Sequence, residues 1–302
     1  MGQKTQTDRI HQTISQIAFC CLTIILSVGC DTEDAGHTDS GTDTGTDGDM
    51  DAGTDMDAGT DDLPSELTIM PLGDSITFGY GNPASNGGYR GPLYELLNPV
   101  LSNFVFVGSS TENLAVTTLP ESQWHNEGHG SYAIYDIDVN LDGFDDTLYQ
   151  AYGEENRNPN GGHWLDGIES GDDARPALYP DIILMMVGAN DRDNLTGAQE
   201  RLDGLVDKIV TMRPDTKLVM ARITPIENSQ THIDFVDSYN QMVDEVFEKY
   251  AVSNNVYLAD MFTDFPSDGL GADLLHPNDT GYTWMAQRWY ETIMNIVGAK
   301  DL

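Results

Sequence analysis

The chain has 302 residues and a formal net charge of −36 at pH 7, from 50 acidic against 14 basic side chains. Twelve of the acids lie between Asp31 and Asp62 and one, Asp8, near the start, so 37 acids still face 12 bases in the remainder. A surface that acidic repels polyanions, which excludes nucleic acid, anionic lipid surfaces and acidic polysaccharides as preferred substrates and leaves neutral ones.

In chain order, Lys4 and Arg9 precede the apolar run "IAFCCLTIILSVG", Ile17 to Gly29, which is too short for a comfortable membrane span. That pattern predicts a secretory signal over residues 1–29. Its end, "LSVGC", resembles a bacterial lipobox, which implies cleavage after Gly29 and lipidation of Cys30. An ordinary signal peptide and a retained anchor are the alternatives. Cys20, Cys21 and Cys30 are the only cysteines, so no disulfide is expected in the remainder. Residues 30–62 form an acidic Asp/Gly/Thr-rich stretch that cannot bury enough apolar surface to fold. It reads as a disordered, self-repelling tether. The expected location is exported, as a cell-envelope lipoprotein or a secreted protein, with the membrane met only through the lipid anchor.

Residues 63–302 read as one α/β domain. Five apolar runs predict strands: "LTIMPL", "FVFVG" from Phe104, "DIILMMVG" from Asp181, "KLVMARI" from Lys217 and "NVYLAD" from Asn255. Amphipathic stretches around Tyr89–Leu101, Thr196–Met212, Ile233–Tyr250 and Thr280–Val297 predict helices. Near-continuous apolar strands alternating with helices point to a three-layer, doubly wound domain on a five-stranded parallel sheet. Residues 111–179 are polar and rich in Gly and Asn, and read as a long functional insert.

Three places carry chemistry. "GDS", Gly73 to Ser75, follows the first strand, where open α/β sheets place ligands at the carboxyl ends. Alone, it is also an ordinary turn. A serine nucleophile needs an oriented base and donors for an oxyanion. In "DLLHPN", Asp273 precedes His276 by three residues, a spacing that lets the carboxylate hold imidazole Nδ1 while Nε2 faces outward. In "VGANDRD", after the third strand, Asn190 offers an amide at the same sheet edge.

The blocks "GDSIT", "EGHGSYAI", "GAND" and "DLLHPN", in that order, resemble the SGNH, or GDSL, hydrolase superfamily over about Leu67 to Val297. The resemblance implies a flavodoxin-like fold, with Ser75 as nucleophile, His276 as base and Asp273 as its orienting partner. It makes the Ser75 N–H and the Asn190 amide oxyanion donors. Relatives carry glycine before the aromatic residue of the second block, where this chain has Ser131, so the remaining donor is placed jointly on Gly130 and Ser131. A serine there keeps the N–H but loses the freedom of φ. His129 receives no catalytic role. The wider phrases "IMPLGDSITFGYGNPASNGGYRGPLYELL" and "LHPNDTGYTWMAQRWY" look like the carbohydrate-esterase branch, which includes acetyl xylan esterases. Trp124, Tyr132, His163 and Trp164 either stack on a sugar face or form a small satellite core.

"DVNLDGFDD" places Asp138, Asn140, Asp142, the Phe144 carbonyl and Asp146 at positions 1, 3, 5, 7 and 9 of a calcium loop. Tyr149 replaces the final glutamate, so the stretch predicts a shorter calcium loop or a plain polar turn. The expectation is thus an exported serine esterase removing small acyl groups, acetyl above all, from a neutral carbohydrate or other small ester. Catalysis needs no cofactor, and structural calcium is expected beside it. The alternatives are a lipase or lysophospholipase acting on lipid esters, and a non-catalytic, calcium-dependent surface binding module. The oligomeric state is left open.

Overall fold

A computed structural model of the chain describes residues 66–80, 87–111, 119–143, 162–171, 174–253 and 255–298. All fall in one compact unit, Gly59–Leu302. The expected signal segment, Cys30 and the whole of the expected tether lie outside the described residues.

The five expected strands are present and pair in parallel. They are β1 (Leu67–Gly73), β2 (Phe104–Phe106), β4 (Ile182–Met186), β5 (Lys217–Arg222) and β6 (Val256–Asp260), in the spatial order β2-β1-β4-β5-β6. A sixth, the two-residue β3 (Glu127–Gly128), was not expected from the sequence. It pairs in parallel with the last two residues of β1, Leu72 with Glu127 and Gly73 with Gly128. All five β4 side chains are buried, as a central parallel strand covered on both faces requires.

The helices are α1 (Ser75–Phe78), α2 (Arg90–Leu97), α3 (Ile134–Asp142), α4 (Ala198–Met212), α5 (Gln230–Tyr250) and α6 (Asp279–Gly298). α2 packs against α6, while α3, α4 and α5 pack in succession, giving the three-layer α/β arrangement. Local chemistry sets several of their ends. The Ser229 hydroxyl accepts from the His232 N–H at the start of α5, and Asn278 Oδ1 accepts from the Thr280 and Gly281 N–H groups at the start of α6. A single core runs through the sheet and both helix layers, from Ile69 and Leu184 in the strands to Tyr282 and Trp289 on α6.

The segment 111–179 is not one long polar loop. It contributes β3 and α3, and it sends Tyr132, Ile134, Leu141 and Trp164 into the core. The calcium expectation is corrected here. Asp138, Asn140 and Asp142 lie on α3, whose 3.6-residue period turns positions i and i+2 apart, so they cannot converge as ligands. Buried Asn140 donates to the Asp136 carbonyl instead. Lys208 Nζ lies 3.2 Å from Asp138 and 3.0 Å from Asp142, and so supplies the cation that the acidic pair calls for. Phe144 and Asp146 lie outside the described residues. Among the described residues no group of three or more His, Cys, Asp or Glu side chains is arranged to hold a metal ion.

Candidate active site

β1 ends at Gly73, and Asp74 caps α1, its Oδ1 accepting from the Ile76 N–H at 2.9 Å. Ser75 is therefore the first helical residue, half-buried at the carboxyl edge of the sheet. Its hydroxyl meets His276 Nε2 at 2.9 Å. His276 Nδ1 in turn meets Asp273 Oδ2 at 2.6 Å. The three side chains singled out in the sequence form one continuous relay.

The Asp273–His276 turn fixes that geometry from within. Asp273 Oδ1 accepts from the backbone N–H groups of Leu275 and His276 at 3.1 and 3.0 Å, so the carboxylate is held by the same few residues that present the ring. Burial opposes ionisation of Asp273, but hydrogen bonds from the His276 ring and from these two N–H groups outweigh it, and its carboxyl stays below the ordinary value. An ionised Asp273 keeps the proton on His276 Nδ1 and leaves Nε2 as acceptor toward Ser75. Half-exposed Tyr80 lies against the imidazole, with ring centroids 4.8 Å apart, and its carbonyl accepts from the Tyr282 hydroxyl.

The donor side is built by β3 and by the turn after β4. The His129 N–H donates to the Gly73 carbonyl at 3.0 Å, and the chain then turns through Gly130 and Ser131, closed by Tyr132 N–H to His129 C=O. This carries both candidate donors past the end of β1, the strand that leads into Ser75. Ser131 holds φ at +66°, the left-handed conformation that glycine adopts without strain. After β4, Gly188 at φ +119° leads into the 3₁₀ turn Ala189–Asp191. There Asn190 Nδ2 donates to the Tyr132 carbonyl at 2.9 Å, and its Oδ1 accepts from Arg192 at 3.1 Å. Buried Asp191 accepts from the Ile134 N–H at 3.0 Å and pairs with Arg201 at 2.9 Å. The GAND and EGHGSY blocks are thus fastened together.

The aromatic residues of the insert divide. Tyr132 and Trp164 are core residues, and buried His129 stacks between them, 4.8 Å from each ring. His129 Nε2 also pairs with the fully buried Glu127, whose carboxylate is further held by the Ser109 N–H and hydroxyl. Tyr132 and Trp164 thus belong to the main core rather than to a separate satellite, and His129 packs against both at the start of the turn. Trp124 and His163 are half-buried, with Trp124 Nε1 donating to the Leu119 carbonyl and His163 Nδ1 meeting Asp166.

Several residues that shape the site carried no sequence expectation. Arg90 is fully buried and donates to three carbonyls, Gly87 at 3.0 Å, Trp124 at 2.9 Å and Phe78 at 3.3 Å, tying the end of α1 to the segment before β3. Burial pushes its pKa down to about 10. Asp74 is buried too, and its Oδ2 has no partner among the described residues. Burial raises its pKa to about 7, against the pull of the Ile76 N–H and of Arg192. An arginine inside the otherwise apolar start of α2 and the "DRD" after Asn190 were the available signals.

Chemically, a hydroxyl joined to an imidazole that is oriented by a carboxylate, beside a turn of N–H groups and an anchored amide, can carry out acyl transfer. Comparisons with known proteins agree with that geometry. Residues 72–284 match the GDSL-like lipase/acylhydrolase family. The chain is 32% identical over 244 residues to a multidomain esterase of Ruminococcus flavefaciens, a match covering 78% of this chain but only 29% of that protein. It therefore spans under a third of that relative's length. Its fold is similar to that of a family 3 carbohydrate esterase of Clostridium thermocellum, with a TM-score of 0.54, 24% identity and coverage of 78% of this chain and 98% of the other. It is also similar to an acetyl esterase mutant solved with acetate ion, with a TM-score of 0.56, 19% identity and coverage of 77% and 99%. With the strand order, the ordered blocks and the match in hand, the chain belongs to the GDSL-like lipase/acylhydrolase family.

Proposed function

We propose that this protein is an exported serine carboxylic-ester hydrolase that removes small acyl groups, acetyl above all, from a neutral carbohydrate. The observation that carries the reading is the relay from Ser75 Oγ through His276 to Asp273, with links of 2.9 and 2.6 Å. In this mechanism Ser75 Oγ attacks the ester carbonyl while His276 Nε2 takes its proton. The tetrahedral oxyanion is held by the N–H groups of Ser75 and of the Gly130–Ser131 turn and by Asn190 Nδ2. His276 then gives its proton to the departing alcohol oxygen, which leaves an acyl group on Ser75. A water molecule, deprotonated by His276, attacks that acyl group, and the carboxylic acid departs as Ser75 recovers its proton. Every proton and charge in these steps is handled by a side chain or a backbone N–H, so the steps call for no cofactor.

Support for the substrate comes from two directions. The acidic balance of the chain disfavours anionic polymers and membranes. The carbohydrate esterase and acetyl esterase among the similar structures act, by their names, on the class proposed here. Export rests on the apolar leader, and attachment to the envelope on Cys30. The test is hydrolysis of p-nitrophenyl esters from acetate to palmitate, alongside acetylated xylan and peracetylated sugars. Highest kcat/KM on acetate, with acetate released from the polysaccharide, is expected. A preference for long acyl chains would overturn the reading in favour of a lipase, and no turnover of any ester would overturn it in favour of a binding module.

A further inference from the structure

We propose that Arg192 is a positioning residue for the oxyanion site, fixing which end of the Asn190 side chain is offered to the reaction. This rests on the reading of Asn190 as an oxyanion donor. Arg192 Nη1 donates to Asn190 Oδ1 at 3.1 Å and to the Ala189 carbonyl at 2.9 Å, while Asn190 Nδ2 donates to the Tyr132 carbonyl at 2.9 Å. A guanidinium has no acceptor and a carbonyl has no donor. Each partner alone therefore selects the same amide orientation, and the flipped amide would set N–H against N–H on one side and oxygen against oxygen on the other.

The consequence is chemical as well as geometric. One of the two Nδ2 hydrogens is spent on Tyr132, which leaves the second for a developing oxyanion. The positively charged Arg192 guanidinium donating to Oδ1 draws electron density toward the oxygen and makes the remaining N–H a better donor, because hydrogen bonds in series polarise one another. Both hydrogens of Arg192 Nη1 are engaged within its own turn, on Ala189 and on Asn190. The arginine is therefore anchored to the backbone it organises. Asp191, between the two, fastens the same turn to the Ile134 N–H on its other side. Without Arg192 the Asn190 amide keeps only the Tyr132 contact and can swing about it.

A double-mutant cycle on p-nitrophenyl acetate separates this role from a merely structural one. Asn190→Ala is expected to lower kcat by about 100- to 1,000-fold, the usual loss for an oxyanion donor. Arg192→Ala is expected to lower it by about 10- to 100-fold, a part of that loss, with KM unmoved. The double variant should be no slower than Asn190→Ala alone, and Arg192→Lys, which keeps a charged donor, should recover part of the rate. Should Arg192→Ala fail to fold, Arg192→Lys carries the same cycle, and its smaller loss must vanish in the Asn190→Ala background. Losses that multiply in the double variant, an Arg192 effect confined to KM, or full kcat in Arg192→Ala would each overturn the inference. Full kcat in Asn190→Ala would instead overturn the oxyanion reading on which it rests.

Discussion

Gly128→Ala tests how the proposed oxyanion turn is docked on the helix that carries Ser75. A Cβ built at Gly128 lies 2.4 Å from the Phe78 nitrogen, 2.7 Å from its Cα and 2.7 Å from the Thr77 carbonyl carbon. All three atoms are backbone, so no side-chain rotation relieves the clash, and ordinary contact begins only at 3.4 Å. The shortfall of about 1 Å must be met by moving β3 away from α1. Overpacking of this kind costs about 1 to 3 kcal/mol, and a backbone clash belongs at the upper end. For a domain of this size, about 3 kcal/mol lowers Tm by roughly 6 to 12 °C. Displacing the turn by about 1 Å from Ser75 should also cost roughly 100-fold in kcat. Gly204→Ala is the control. It sits exposed within α4 with nothing inside 4 Å of its Cβ position, and should gain about 0.5 to 1 kcal/mol from helix propensity with kcat unchanged. Melting curves and p-nitrophenyl acetate kinetics on both variants decide the matter. A Gly128→Ala protein with native Tm and kcat would refute the claim that this contact sets the site.

Three further outcomes follow from the same structure. The Asp74 carboxyl ionises near 3.8 in the unfolded chain and near 7 in the fold, so between these values folding takes up a proton and stability falls as pH rises. Asp74→Asn keeps an Oδ1 acceptor for the Ile76 N–H but cannot ionise, so wild-type Tm should fall relative to it between about pH 4 and pH 8, and parallel Tm profiles would refute the buried-acid account. Arg90→Lys replaces a planar fork by one ammonium and strands at least one buried carbonyl, which should cost about 1 to 3 kcal/mol in urea unfolding; an unchanged midpoint would contradict the three-carbonyl clamp. Cys30→Ala should move the protein from the membrane to the soluble fraction, and unchanged fractionation would remove the proposed lipid anchor.

The Asp273–His276 half of the relay was legible because it is local in sequence, whereas Ser75, 201 residues from His276, was joined to it by the resemblance of the ordered blocks. Ser75 sits at a strand end beside Gly73 and Asp74, and Asp273 and His276 share one tight turn, so residue types and spacing alone brought base and orienting carboxylate together. The five main strands were legible for a similar reason, since burial on both faces leaves continuous apolar runs. β3 was not, because two residues carry no periodicity. The α3 segment misled because an Asp-x-Asn-x-Asp spacing serves a calcium loop and a polar helix face alike. The choice between them was made by Lys208, seventy residues away on α4, and by the burial of Ile134, Ile137 and Leu141. Ser131 shows the converse. Its departure from the relatives' glycine was visible in sequence, and the structure holds it at the left-handed φ that glycine would have eased.

The central claim is that Ser75 is the acylated nucleophile. It is tested most directly by reacting the protein with a fluorophosphonate and locating the adduct by peptide mass spectrometry. The account predicts one adduct, on Ser75, with loss of acetyl-ester hydrolysis in step with labelling, and neither labelling nor hydrolysis in a folded Ser75→Ala variant. Hydrolysis that survives in Ser75→Ala, or an activity-linked adduct on any other residue, would contradict it.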